Sequence, residues 1–178
     1  MIFEPLAIDG AYLISSNRFE DERGHFIRVW CHNEFENAGL SADMVQSSLS
    51  FNRRRGTLRG MHYQNSPHGE NKLVRCIRGQ IYDVVVDLRQ DSPTYLQHKG
   101  VYLDAEGCKA VFVPEGCAHG FITIVDDSEV LYMMDEVYHP ESAAGVRWDD
   151  PVFGINWPRT VEIINDRDAT YPDYTPTR

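Results

Sequence analysis

Arg59, His62 and Lys72 are the residues of this chain best suited to chemistry. They lie in and soon after the stretch Arg-Gly-Thr-Leu-Arg-Gly-Met-His-Tyr-Gln, Arg55 to Gln64. Histidine is the side chain whose ordinary pKa lies nearest neutrality, so it can take up and release a proton at physiological pH. Arginine and lysine bring fixed positive charge, suited to phosphates or to an oxyanion that forms during reaction. A base beside an anion-stabilising cluster suits proton abstraction next to a carbonyl on a negatively charged substrate. An isolated histidine is more often a hydrogen-bonded structural residue. The cations on either side turn the reading of His62 toward function.

Strands must position these groups. Ile81 to Leu88 alternates so that Tyr82, Val84, Val86 and Leu88 share one face, and Asp83 and Asp87 share the other with Ile81 and Val85. Lys99 to Leu103, Ala110 to Val113, Phe121 to Val125 and Val130 to Val137 are further β-rich runs. Gly79, Asp91-Ser-Pro93, Glu106-Gly107, Pro114-Glu-Gly116 and Asp126-Asp127 punctuate them. Short strands this close together predict an all-β sandwich or barrel. One short helix is expected over Asn33 to Ala38, stopped by Gly39. Without repeats or a linker, residues 1–178 read as a single domain, with an extended C-terminal tail from about Tyr171 and Asp168 just ahead of it.

The 178 residues are enough for a sizeable core. A hydrophobic content of 42% with 25% charged residues is that of an ordinary globular protein. The net charge of −10 argues against nucleic-acid binding, and the Arg53, Arg54, Arg55 run reads as a solvated turn. No apolar run approaches the ~20 residues of a membrane span, and the N-terminus has no signal-peptide pattern, so no membrane association and a cytoplasmic setting are expected. Cys31, Cys76, Cys108 and Cys117 form no CxxC pair and read as buried free thiols. No Rossmann glycine fingerprint or Walker A loop is present, which argues against a bound dinucleotide and P-loop phosphoryl transfer.

The stretch Pro114-Glu-Gly-Cys-Ala-His119-Gly-Phe resembles the second motif of the cupins, PxGxxH on a β-hairpin. Metal-binding cupins complete their site with an earlier HxH and a glutamate. Here the matching stretch is His62-Tyr63-Gln64, so the second histidine is missing and no catalytic metal is expected. In combination, further motifs resemble the dTDP-4-dehydrorhamnose 3,5-epimerases of the cupin superfamily, over nearly everything from Arg18 to about Pro172. They are Asp21 to Phe26, Leu58 to Gln64, Lys72-Leu-Val, Gly79 to Asp87, Asp91 to Thr94, Leu131-Tyr132, Trp148 to Pro151 and Asp166-Arg167-Asp168.

That resemblance implies a cupin jelly roll with a few short helices. It also implies epimerisation at C3 and C5 of a nucleotide-diphosphate 4-keto-6-deoxy sugar, without cofactor, in deoxysugar biosynthesis for a surface polysaccharide or a glycosylated product. The C4 ketone acidifies the hydrogens on C3 and C5. By resemblance His62 is the base, Asp168 holds its far nitrogen, Lys72 faces the enolate oxygen, and Tyr132 returns a proton from the opposite side. Arg59 and His119 would bind the diphosphate or sugar hydroxyls, with Arg23 on the diphosphate. Tyr138 would stack on the nucleobase, Gln46 and Phe19 would line its pocket, and Arg28 and Arg167 complete the implied binding set. The family dimerises by pairing strands across subunits, so Arg23 and Arg28 could serve the site of the neighbouring subunit.

The chain departs from the family pattern where the nucleotide is read. Arg28 stands where a glutamate usually contacts thymine. Gln46-Ser47-Ser48-Leu49 replaces Gln-Asp-Asn-His, and a later glutamate is replaced near Ala143. Arginine cannot accept a hydrogen bond from the thymine N–H. CDP- and GDP-linked sugars therefore stand beside dTDP as expectations. Inversion at C3 alone or C5 alone is the first alternative, and a non-catalytic sugar-binding cupin and a metal-dependent oxygenase are the rivals from other classes. The match at His62, Asp168 and Tyr132 argues against 3,4-ketoisomerisation.

Overall fold

The computed structural model describes residues 1–176. In chain order the strands are β1 (Ile2–Pro5), β2 (Tyr12–Ser15), β3 (Arg18–Asp21), β4 (Gly24–Ile27), β5 (Gln46–Asn52), β6 (Leu58–Gln64), β7 (Lys72–Arg78), β8 (Gln80–Asp87), β9 (His98–Asp104), β10 (Ala110–Val113), β11 (Cys117–Thr123), β12 (Ser128–Met134) and β13 (Ala143–Gly145). The helices α1 (His32–Asn37) and α2 (Asp166–Ala169) are short. One sheet has the order β1-β2-β10-β7-β12-β5, a second has β13-β6-β11-β8-β9, and β3 and β4 form a separate hairpin. Every strand pairing is antiparallel. This is the all-β sandwich that the short, alternating runs predict.

The alternation explains how the sheets are covered. Ile81 and Val85 of β8 face inward and join Val74, Cys76, Val111, Cys117, Phe121 and Val130 in the core between the sheets. Val84 and Val86 face the other way and pack with Met61, Ala118, Phe153, Trp157 and Tyr174. Both faces of β8 are therefore buried, because the C-terminal segment lies across the outer face of its sheet. On the far side, Phe35 of α1 seals Ile14, Leu73, Ala110 and Phe112. Residues of the predicted helix form α1, and Gly39 follows at φ +73°, a conformation that glycine adopts without cost.

Three expectations need correction. Strand β11 begins at Cys117, where the sequence read as the end of a turn, because its small residues and His119 pair with both β6 and β8. Strand β12 ends at Met134, short of Val137, because the next side chain leaves the ladder to bind a loop. Asp135 accepts hydrogen bonds from the Asn71 backbone and side chain, both at 2.7 Å. The four cysteines are free, but Cys31 and Cys108 are only half-buried. Burial pushes the Cys76 thiol up to about 11 and the Cys117 thiol up to about 12. The segment from Tyr171 carries no helix or strand through residue 176, and it lies against the fold. Tyr174 packs into the outer cluster and its N–H donates to Asp150 at 2.6 Å. Residues 177 and 178 of that expected tail lie outside the described residues. Arg53, Arg54 and Arg55 do form an exposed turn. No helix of the described residues is long and apolar enough to cross a membrane.

Candidate active site

A cavity of about 440 Å³ opens between the two sheets. How Arg59 and His62 both reach it is a matter of backbone register. In a regular strand, residues three apart point to opposite faces. Between the pairs Arg59–Phe121 and His62–His119, strand β6 carries two residues, Gly60 and Met61, against the single Gly120 of β11. This β-bulge resets the alternation, so Arg59 and His62 both line the cavity while Met61 is buried in the outer cluster. Only glycine fits at the bulge. Gly60 sits at φ +130°, and a Cβ there would come 2.5 Å from the Gly120 Cα.

The bulge also directs the Gly60 N–H to Asp168. The Asp168 carboxylate is fully buried; Oδ1 lies 2.7 Å from His62 Nε2 and Oδ2 accepts the Gly60 N–H at 3.1 Å. Helix α2 delivers it. Its N-cap, Asn165, accepts the Asp168 N–H at 2.7 Å. Burial pushes the Asp168 carboxyl up, but the hydrogen bonds from His62 and Gly60 outweigh it and hold the group below its ordinary range. An ionised Asp168 holds the neutral imidazole with its proton on Nε2. Nδ1 is left as the free base.

Lys72 is 93% buried by its 7% residual exposure, not the solvated strand lysine that its residue type suggests. Its Nζ donates to the His62 carbonyl at 3.0 Å and pairs with Glu70 at 2.6 Å. Two of its three N–H bonds are thereby fixed, which aims the charge beside His62. On the opposite sheet Tyr132 faces inward from β12, at the edge of the core, and lines the same cavity. The cavity thus has a base on one wall, a phenol on the other and an ammonium between them.

His119 stands directly opposite His62 in the ladder, and its Nε2 lies 2.8 Å from the buried Asp83. Arg59 donates through Nε to Asn52 at 2.7 Å, leaving the end of its guanidinium for a ligand. Gln46, Tyr138 and Arg167 line the cavity as well. The Tyr138 N–H donates to Gln46 Oε1 at 3.0 Å. A hydrogen bond to Tyr138 raises the pKa of Arg167 further.

Phe19, Arg23 and Arg28 are not brought to this cavity within the chain. Phe19 and Arg23 belong to the β3–β4 hairpin, where Arg23 engages Asp21. Arg28 follows the hairpin and pairs with Glu34 at 3.0 Å. Of the positions where the sequence departs from its family pattern, Ser47 and Leu49 face outward on β5 and Ala143 lines the cavity. The sequence reading missed three partners: Asp83 for His119, Glu70 for Lys72 and Asn52 for Arg59. A signal existed for Asp83, an acidic residue inside an apolar strand that needs a buried partner.

Gln64 stands where a metal cupin carries its second histidine, and its amide is engaged elsewhere. It donates to the His68 and Val137 carbonyls at 3.0 and 3.2 Å and accepts the His139 N–H at 2.6 Å. Together with His62 held by Asp168, this leaves a poor donor set for a metal in the cupin position.

A family model described as dTDP-4-dehydrorhamnose 3,5-epimerase matches residues 5–175. The protein of that name from Methanothermobacter thermautotrophicus is 44% identical over 165 residues, covering 92% of this chain and 86% of that one. The crystal structure of dTDP-4-dehydrorhamnose 3,5-epimerase from Elizabethkingia anophelis superposes with a TM-score of 0.94 at 34% identity, covering 98% of this chain and 96% of that one. The Bacillus anthracis structure, with TDP and PPi bound, also gives 0.94, at 37% identity over 97% and 99% of the two chains. Sequence and three-dimensional likeness both run the length of the chain, which belongs to the dTDP-4-dehydrorhamnose 3,5-epimerase family.

Proposed function

We propose that this protein inverts C3 and C5 of a dTDP-linked 4-keto-6-deoxy sugar by proton transfer alone, in deoxysugar biosynthesis. It is an epimerase of the isomerase class. The observation that carries the reading is the facing pair of proton-transfer groups, His62 with Asp168 on one sheet and Tyr132 on the other. His62 Nδ1 takes the proton from carbon, and the electron pair moves onto the C4 oxygen as an enolate. Asp168 stabilises the imidazolium that results. The Lys72 ammonium offsets the enolate charge. Tyr132 then donates its phenolic proton to the opposite face of the ring and is reprotonated through the open cavity, while His62 returns its proton to water. The residues supply base, acid and charge, so the reading needs no cofactor.

Arg59, His119, Gln46, Tyr138 and Arg167 hold the nucleotide-diphosphate end in this reading. The relatives named above carry dTDP in their names, and one was solved with TDP, so CDP- and GDP-linked sugars are not favoured. We also propose a homodimer of single-domain cupin subunits. The edge strand β5 exposes Leu49 and Phe51, with Val45 just before it, and the hairpin exposes Phe19 and Phe26. Strand pairing through such an edge buries this apolar surface. It also carries Phe19, Arg23 and Arg28 to the partner's cavity. The reaction is assigned to the cytoplasm, where free thiols are stable.

Solvent deuterium incorporation tests the function. In D₂O the protein should label both C3 and C5 of dTDP-4-keto-6-deoxyglucose, read by NMR, and leave the CDP- and GDP-linked analogues unlabelled. Label at one carbon only would make it a mono-epimerase. No label would overturn the reading.

A further inference from the structure

Outside the proton-transfer centre, His68, His139 and Glu141 each offer a ligand atom, and the three atoms lie within 4.8 Å of one another. His68 belongs to the β6–β7 loop; His139 and Glu141 follow β12. The two imidazoles stack with centroids 3.6 Å apart and planes 9° from parallel, and His139 Nδ1 lies 3.0 Å from Glu141 Oε1. We propose that these residues form a binding site for a divalent transition-metal ion of the zinc class.

The donor set suits that class. Two imidazole nitrogens and one carboxylate oxygen are a three-ligand zinc set with an open fourth position, whereas magnesium and calcium take oxygen ligands. His68 also has a hydrogen-bonded partner for its other nitrogen, as metal-bound histidines do. His68 Nδ1 contacts Ser142 Oγ at 2.9 Å, which leaves Nε2 for the ion. His139 turns Nδ1 toward Glu141, while its Nε2 faces Glu136 at 3.7 Å. The backbone is fixed beneath them, since the buried Gln64 amide binds the His68 carbonyl and the His139 N–H, and the Ser142 N–H donates to the His139 carbonyl at 3.0 Å. Ligands around a tetrahedral zinc sit about 3.4 Å apart. Closing the cluster onto an ion takes a shift of about 1 Å, supplied in part by the exposed Glu141 side chain, and a turn of one imidazole out of the stack, because the in-plane lone pairs of parallel rings do not converge.

The site borders the nucleotide end of the cavity. Gln64 lines that cavity, Tyr138 precedes His139, and Ala143 and Ala144 follow Glu141. A bound ion would tie the β6–β7 loop to the segment carrying Tyr138 and hold this side of the mouth rigid. No proton transfer passes through it.

Cobalt(II) is the probe. The full chain, stripped with EDTA and desalted, is titrated with Co²⁺ while its visible d–d absorption is recorded, then competed with Zn²⁺. The expected result is saturation at one equivalent per chain, a band displaced by Zn²⁺, and a loss of affinity of about tenfold or more in H68A, H139A and E141Q. E141Q alters an exposed side chain, so it tests the site without risk to folding, and far-UV circular dichroism verifies the histidine variants. Absence of a saturable band, or unchanged affinity in E141Q or in folded H68A/H139A, would overturn the proposal.

Discussion

Asp168 meets His62 across 106 residues of sequence, with one oxygen on the imidazole Nε2 and the other on the N–H of Gly60, two residues before the histidine. The carboxylate therefore clamps ring and backbone together. Asp168→Asn keeps the size but can donate where the carboxylate only accepts, favouring the tautomer with its proton on Nδ1. We expect kcat to fall about 10²-fold or more with KM little changed, since the nucleotide-binding groups are elsewhere. Steady-state kinetics with the dTDP-linked 4-keto sugar decides this; a rise in KM alone would make Asp168 a binding residue.

Tyr132 faces His62 from the other sheet, so removing its hydroxyl separates the two halves of the reaction. Tyr132→Phe should still exchange substrate hydrogen with solvent, because His62 can take a proton and put it back on the same face. Completed inversion should fall about 10²–10⁴-fold, the usual range for a general acid. Comparing exchange with inversion by NMR tests the assignment, and equal loss of both would move the acid's role elsewhere.

Lys72 and Glu70 form a buried ion pair, with side-chain exposures of 9% and 3%. Removing one partner leaves an uncompensated charge, which costs roughly 3–5 kcal/mol. Lys72→Met should therefore lose stability as well as turnover, and Lys72→Met with Glu70→Gln should regain much of the stability without the turnover. Urea denaturation beside a turnover assay separates the two effects. A fully stable Lys72→Met would mean that the pair contributes nothing net to stability.

The sheets were legible because Ile81 to Leu88 is a short β-rich run whose alternate residues sort onto two faces, and both faces pack. The outer cover was harder to see. Nothing in the composition of Tyr171 to Pro176 says that Tyr174 packs beneath a sheet formed far upstream. Most of the residues that line the cavity could be picked out by type, but the partners that hold them could not. Glu70 and Asn52 are ordinary polar residues until the fold brings them against Lys72 and Arg59, and Asp83 signals only that it needs some buried partner, not that the partner is His119. The bulge at Gly60 was equally hidden, since two glycines in different strands announce a close approach only once they are paired. Phe19, Arg23 and Arg28 form a different case: they lie outside their own chain's cavity, and only the proposed dimer would give them a site to serve.

Asp87 offers a test of the fold by pH. It is fully buried, with Arg89 Nε and Nη2 at 2.8 Å and the Thr94 hydroxyl at 2.6 Å. Burial pushes its carboxyl up, but these partners and Ser92 outweigh it and bring the value to about 2. An unfolded aspartate titrates near about 3.9. The depressed value thus contributes stability that is present above about pH 4 and lost as pH falls toward about 2, amounting to about 2 kcal/mol. Denaturation of the wild type and Asp87→Asn across this window should show a gap at neutral pH that narrows in acid. A gap independent of pH would show that the cost is packing, not charge.

The position of Arg23 allows the proposed dimer to be tested by activity. The hairpin holds Arg23 in solvent, 89% exposed at its side chain and outside its own chain's cavity. If it serves the neighbouring subunit, His62→Ala and Arg23→Ala damage different halves of each site. A mixed dimer then contains one site with both defects and one with neither, the latter pairing the intact cavity of the Arg23→Ala chain with the intact hairpin of the His62→Ala chain. Refolding an equal mixture gives about half mixed dimers, so about a quarter of all sites should recover. Light scattering should give the mass of two chains for each variant. If the mixture is no more active than its components while the mass is dimeric, Arg23 acts within its own subunit or on no substrate at all. A monomeric mass with full wild-type turnover would remove the dimer altogether.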